Sequence, residues 1–133
     1  MPTLVDSTVI LDVVTEDPDW IDWSSSMLAN AAQEGRLIIN PVIYAEVSCA
    51  YEQIEALDEA LGGDYFTREP LPWPAAFLAA KAFLRYRRRG GVRRRPLPDF
   101  YVGAHAAVGK YVLLTRDPKR YRSYFPTVRM IAP

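Results

Sequence analysis

Apolar residues in this chain fall into short unbroken runs separated by longer stretches with helical spacing. Thr3-Leu4-Val5, Arg36-Leu37-Ile38-Ile39, Tyr111-Val112-Leu113-Leu114 and Val128 to Ile131 are the short runs, and they predict buried strands. Val9 to Val14 predicts a short apolar helix. Asp17-Pro18-Asp19 places carboxylates and a proline in a first turn, starting a helix to about Glu34 with Trp20, Trp23, Met27 and Ala31 on one face. Asn40-Pro41 pairs a cap with a first-turn proline and opens a helix containing Val42, Ile43, Glu46, Cys49 and Ala50. A further helix spans about Gln53 to Leu61, ahead of Gly62-Gly63, and residues 64–73 predict a loop with room for one short strand. Pro74 opens a long helix whose apolar face is Ala76, Ala80, Phe83 and Leu84, ending at Gly90-Gly91. Asp99 to about Val108 is a helix stopped by Gly109, and a short helical turn follows Pro118. Helices alternating with wholly apolar strands predict a mostly parallel sheet of about four or five strands, flanked by helices, in one α/β domain over residues 1–133.

Composition narrows the chemistry. Half of the 133 residues are hydrophobic, enough for one sizeable core. The formal net charge is zero, so no global positive field attracts nucleic acid and any such binding needs a local basic patch. Arg85, Arg87, Arg88, Arg89, Arg93, Arg94 and Arg95 form one. Cys49 is the only cysteine and His105 the only histidine. Those counts exclude an intrachain disulfide and a thiolate-rich zinc or iron–sulfur site, so a metal site must use oxygen ligands, which suits Mg²⁺ or Mn²⁺. No signal-like or membrane-spanning apolar run is present, and a reduced, cytoplasmic setting is the expectation.

The acids fall at one edge of the expected sheet. Asp6 follows the first strand, and Asp117 lies three residues beyond Leu114. Both are at carboxyl ends of strands, where open parallel sheets place ligands. Asp99 starts the helix that feeds the third strand from the same edge. Glu46 lies in the second turn of the helix leaving the second strand, within about 9 Å of that edge by helical rise. Four carboxylates in one cleft repel, and a hard divalent cation resolves the conflict. One or two such ions support phosphodiester hydrolysis by activating water and stabilising charge on the phosphate. Each acid also has a plainer reading: Asp6 and Asp99 as helix caps, Asp117-Pro118 as a turn, Glu46 in a buried salt bridge.

Leu4-Val5-Asp6-Ser7-Thr8-Val9-Ile10, Asn40-Pro41-Val42-Ile43-Tyr44-Ala45-Glu46, Leu97 to Ala106 around Asp99, and Leu114-Thr115-Arg116-Asp117 resemble the four sequence blocks of VapC-type toxins of the PIN-domain family. The resemblance extends to Arg120-Tyr121-Arg122-Ser123-Tyr124-Phe125-Pro126. It implies a PIN fold and an Mg²⁺- or Mn²⁺-dependent endoribonuclease, the toxin of a type II toxin–antitoxin pair. It implies a homodimer neutralised by a cognate VapB-type antitoxin. The motif acids are Asp6, Glu46, Asp99 and Asp117, with Asp6 and Asp99 the foremost metal ligands and Ser7 and Thr115 the supporting hydroxyls. Two positions depart from the pattern. Thr8 stands where many relatives have Asn, and Pro118-Lys119-Arg120 lacks the further acid of some PIN nucleases, leaving the number of metal ions open.

The remaining candidates have competing readings. Arg93, Arg94 and Arg95 can grip RNA phosphates, or form a solvated helix end. Trp20 and Trp23 read as packing residues, His105 as a satisfied buried residue and Cys49 as inert core. An aspartyl-nucleophile phosphatase would need an acid two residues after Asp6, where Thr8 stands, and a phosphotransfer receiver would pair acids near the N-terminus. A non-catalytic RNA- or partner-binding PIN-like module is the other alternative, although all four acids are present. Cleavage of DNA in place of RNA stays open.

Overall fold

The computed structural model describes residues 1–133. Its elements run in the order β1 (Thr3–Val5), α1 (Ser7–Val14), α2 (Ile21–Glu34), β2 (Leu37–Ile39), α3 (Pro41–Ser48), α4 (Ile54–Ala60), β3 (Phe66–Arg68), α5 (Trp73–Arg88), α6 (Pro98–Gly109), β4 (Val112–Leu114), α7 (Lys119–Tyr124) and β5 (Met130–Ile131). The five strands form one sheet in the order β3-β2-β1-β4-β5, and every neighbouring pair is parallel. Leu4 pairs with Ile38 on one side and Leu113 on the other, which aligns the ends of the three central strands.

Helices cover both faces, so the central strands are buried throughout and read as continuous apolar runs. Each central strand stops at a buried polar residue: Asp6 after β1, Asn40 after β2 and Thr115 after β4. Those residues turn the chain into its next segment and line the carboxyl edge. The connections from β1 and β4 run to opposite sides, so the topological switch point lies between these two strands, beside Asp6 and Thr115. No helix is long and apolar enough to cross a membrane.

Several expectations need correction. The buried face of α5 is Ala75, Ala79 and Ala82, whereas Ala80 and Leu84 are exposed and Ala76 and Phe83 are half-buried. Trp73 and Phe77 at the start of α5 are exposed as well, so the apolar residues of this helix lie on two faces. Cys49 and Ala50 are exposed and not core, since they follow the end of α3 at Ser48 and the buried residues of that helix are Ile43 and Val47. Helix α1 begins at Ser7, two residues before Val9, because Asp6 caps it. The short strand allowed for within residues 64–73 does form, as β3, held by pairing of Phe66, Thr67 and Arg68 with Leu37, Ile38 and Ile39. Helix α6 runs through Gly109, and it is Lys110, in the left-handed region at φ 56°, that ends it.

Candidate active site

Asp6 is the centre of the carboxyl edge and is 2% exposed. Its Oδ1 accepts from the Ser7 amide at 2.8 Å, so the capping reading is right for that oxygen. Its Oδ2 accepts from Thr115 Oγ1 at 2.7 Å and more weakly from Thr8 Oγ1 at 3.4 Å. Ser7 Oγ donates to Glu46 Oε1 at 3.0 Å, which brings the acid of α3 to the residue beside Asp6. Glu46 reaches this point because Asn40 caps α3, its Oδ1 accepting from the Ile43 amide at 3.0 Å. The buried salt bridge weighed for Glu46 does not form.

Asp99 lies in the first turn of α6, two residues past the N-cap Leu97, and it does not cap the helix. Helix α6 packs closely on the end of α7, since a Cβ at Gly103 would stand 2.4 Å from the Phe125 ring. That approach sets Tyr121 and Arg120 against Asp99. Arg120 Nη1 donates to Asp99 Oδ2 at 3.0 Å, and the Tyr121 hydroxyl donates to Oδ1 at 3.4 Å.

Electrostatics tie the three acids together. Burial pushes the Asp6 carboxyl above its usual range, and the nearby Asp99 charge adds to this against the bond from Thr115. Burial also raises Glu46, followed by the charges of Asp6 and Asp99, with the Ser7 hydroxyl opposing. Tyr121 is buried among the same carboxylates, and burial together with Asp6 and Asp99 holds its phenol protonated far above the ordinary value. Asp6, Glu46 and Asp99 therefore form one interacting group. Asp117 is exposed; its amide donates to Thr115 Oγ1 at 3.0 Å. It meets Asp99 across a cavity of about 390 Å³ also lined by Tyr86, Lys119, Arg120, Ser123 and Tyr124.

Some residues of this region escape sequence reasoning. Arg120 and Tyr121 touch Asp99, yet only their place in the closing motif singled them out. Asp12 is buried and accepts from Ser24 Oγ at 2.7 Å and from Arg116 Nε at 2.8 Å. The Arg116 guanidinium also stands 5.2 Å from the Trp20 ring centre, and its amide donates to Thr8 Oγ1 at 3.3 Å. This clamp fixes the loop that carries Thr115. Behind the site, Asn40 Nδ2 bonds His105 Nδ1 at 3.0 Å, and His105 Nε2 faces Glu69 at 3.4 Å. His105 is thus a satisfied buried residue, as expected. Arg93, Arg94 and Arg95 are exposed on the turn before α6, and none of them forms an ion pair.

The PIN domain family model matches residues 3–125. The chain belongs to the PIN domain family. Among solved structures, this PIN domain is similar to a chain of VapBC2 from Rickettsia felis bound to a DNA fragment from its promoter, at 14% identity and TM-score 0.76, covering 100% of this chain and 99% of that one. It is similar to a chain of VapBC-1 from nontypeable Haemophilus influenzae at 16% identity and TM-score 0.73, covering 99% and 98%. It also resembles a chain of FitAcB from Neisseria gonorrhoeae at 18% identity and TM-score 0.73, covering 97% and 96%. At these identities the likeness shows the fold. No curated protein matches the sequence.

Proposed function

We propose that this PIN domain is a metal-dependent endoribonuclease, acting in the cytoplasm as the toxin of a type II toxin–antitoxin pair. One observation carries the reading: Asp6, Glu46 and Asp99, from three separate segments, meet near the switch point of a parallel sheet, closely enough that the Asp99 charge helps to raise both Asp6 and Glu46. The supporting comparison is that solved structures with this fold over nearly their whole length are VapBC and FitAB assemblies.

The donor set fits a hard divalent cation, Mg²⁺ or Mn²⁺. It offers carboxylate oxygens in mutual repulsion and no thiolate, with hydroxyls already orienting two of the acids. As the side chains stand, no three acids are close enough to hold one ion, and Arg120 occupies Asp99. Asp6 and Asp99 would be the principal ligands, with Glu46 and Asp117 completing or supporting the site. The cation, when bound, supplies Lewis-acid stabilisation of the phosphate and activation of water. Thr115 and Ser7 hold Asp6 and Glu46 in place, and Tyr121 keeps its proton as a donor to the acidic centre. The cavity between Asp99 and Asp117 opens the site to a strand of RNA.

The remaining parts of the reading are one PIN domain over residues 1–133, a homodimer, and neutralisation by a VapB-type antitoxin. A non-catalytic RNA- or partner-binding module is the second reading, favoured by the Arg120 contact at Asp99. The deciding experiment maps RNA ends after pulsed expression of the wild type and Asp6→Asn, and repeats cleavage in vitro with Mn²⁺ or excess chelator. New ends produced by the wild type alone, and lost with chelator, support the nuclease. Identical ends from both proteins refute it.

A further inference from the structure

Both oxygens of Asp99 are engaged within this chain, Oδ2 by Arg120 at 3.0 Å and Oδ1 by Tyr121 at 3.4 Å. The pair is not locked in the core, since the two side chains are 41% and 32% exposed. Arg120 also lines the cavity that it shares with Lys119 and Ser123, so open space adjoins its long side chain. On the far side of Ser123, Arg89 Nη1 donates to Ser123 Oγ at 3.0 Å. The cavity is therefore acidic at Asp99 and Asp117 and basic at Lys119 and Arg120.

We propose that Arg120 is an internal counter-ion that competes with a divalent cation for Asp99, and that Arg120, once displaced, binds a phosphate of single-stranded RNA beside Lys119. The inference rests on the metal-dependent reading above. Arg120 and a cation cannot both hold Asp99 Oδ2, and a guanidinium kept near a bound cation would repel it. Freed from Asp99, Arg120 keeps a positive charge in a cavity large enough for a nucleotide-sized ligand, and guanidinium is a strong phosphate partner.

The test has two readouts. Isothermal titration of Mn²⁺ without RNA compares the wild type, Arg120→Gln and Arg120→Lys. Removing an exposed ion pair of ordinary strength should tighten Mn²⁺ binding by roughly two- to fivefold in Arg120→Gln. Loss of structure alone would weaken binding, so a gain identifies competition. A labelled single-stranded RNA is then titrated across a salt series, in Ca²⁺ and in chelator. In Ca²⁺ the Arg120→Gln slope should be flatter than wild type by about 0.7, with Arg120→Lys retaining the wild-type slope, and in chelator all three should coincide. Unchanged or weaker Mn²⁺ binding by Arg120→Gln overturns the competition, and equal slopes in Ca²⁺ overturn the phosphate contact. A wild type that binds no Mn²⁺ overturns the metal-dependent function itself, and this inference with it.

Discussion

Thr115 Oγ1 donates to Asp6 Oδ2 at 2.7 Å and joins residues 109 positions apart. The bond stitches the ends of β1 and β4 across the switch point. It is also the strongest influence favouring the ionised form of a carboxylate that burial otherwise disfavours. The same hydroxyl accepts from the Asp117 amide, so Thr115 places the acid loop as well.

Thr115→Val keeps the shape and removes both bonds. Asp6 should then be harder to ionise, and Mn²⁺ affinity or RNA cleavage should fall by about 10- to 100-fold, as when an outer partner of a metal ligand is lost. Stability should fall by about 1–3 kcal/mol for the lost buried bond, leaving a folded chain. Thr115→Ser should restore most of the loss. Calorimetry and rates equal to wild type for Thr115→Val would remove this loop from the site.

Asp6→Asn should abolish cleavage and stabilise the metal-free chain. Asp6 and Glu46 both have folded-state values raised above their ordinary 3.8 and 4.5, so the folded chain holds more protons than the unfolded chain in the window just above those values. Stability from these acids therefore falls as pH rises through that window. His105 is lowered by burial and contributes the opposite trend below 6.5, which both proteins share. The difference in melting temperature between Asp6→Asn and wild type in chelator should accordingly grow from pH 4 to pH 7. A constant or shrinking difference would contradict the repulsion.

Much of the site was legible because parallel α/β architecture converts sequence position into spatial position. An acid directly after an apolar run lies at a carboxyl edge, and an acid opening the next helix returns there. Asn40-Pro41 was equally readable, since its capping role is local. What escaped reading depends on paths through space. Arg120 and Asp99 are 21 residues apart, and nothing local joins them until α7 folds onto α6. In α5, Ala75, Ala76, Ala79, Ala80 and Ala82 put alanine on both faces, so apolar spacing could not choose the buried one. β3 is a sheet edge whose Thr67 and Arg68 blur the apolar run.

His105 links two elements behind the acidic cluster. Asn40 uses Oδ1 to cap α3 and Nδ2 to reach His105 Nδ1, so the ring acts as acceptor there and its other nitrogen faces Glu69. His105→Leu leaves the Asn40 amide without its buried partner and should cost about 1–3 kcal/mol. Urea unfolding would show this as a lower midpoint at unchanged slope. Because the Asn40 cap carries α3 and Glu46, cleavage should fall more than the population of folded protein does. A midpoint within error of wild type would mean that the network is not holding α3.

The basic turn before α6 tests where RNA lies. Arg93, Arg94 and Arg95 are exposed and have no acidic partners, so each is available to phosphate. The turn leads directly into Asp99 through Pro96, Leu97 and Pro98. Every cation that neutralises a phosphate of single-stranded RNA steepens the salt dependence by about 0.7. Changing all three to Ser should flatten the slope by about two units if each makes a contact. These contacts hold substrate and transition state alike, so KM should rise more than kcat falls. Coincident slopes for the triple variant and wild type on one labelled RNA in Ca²⁺ would make the turn a solvated helix end. Phosphate binding would then have to come from Lys119 and Arg120 in the cavity beside Asp99, and Lys119→Gln on the same RNA would show it.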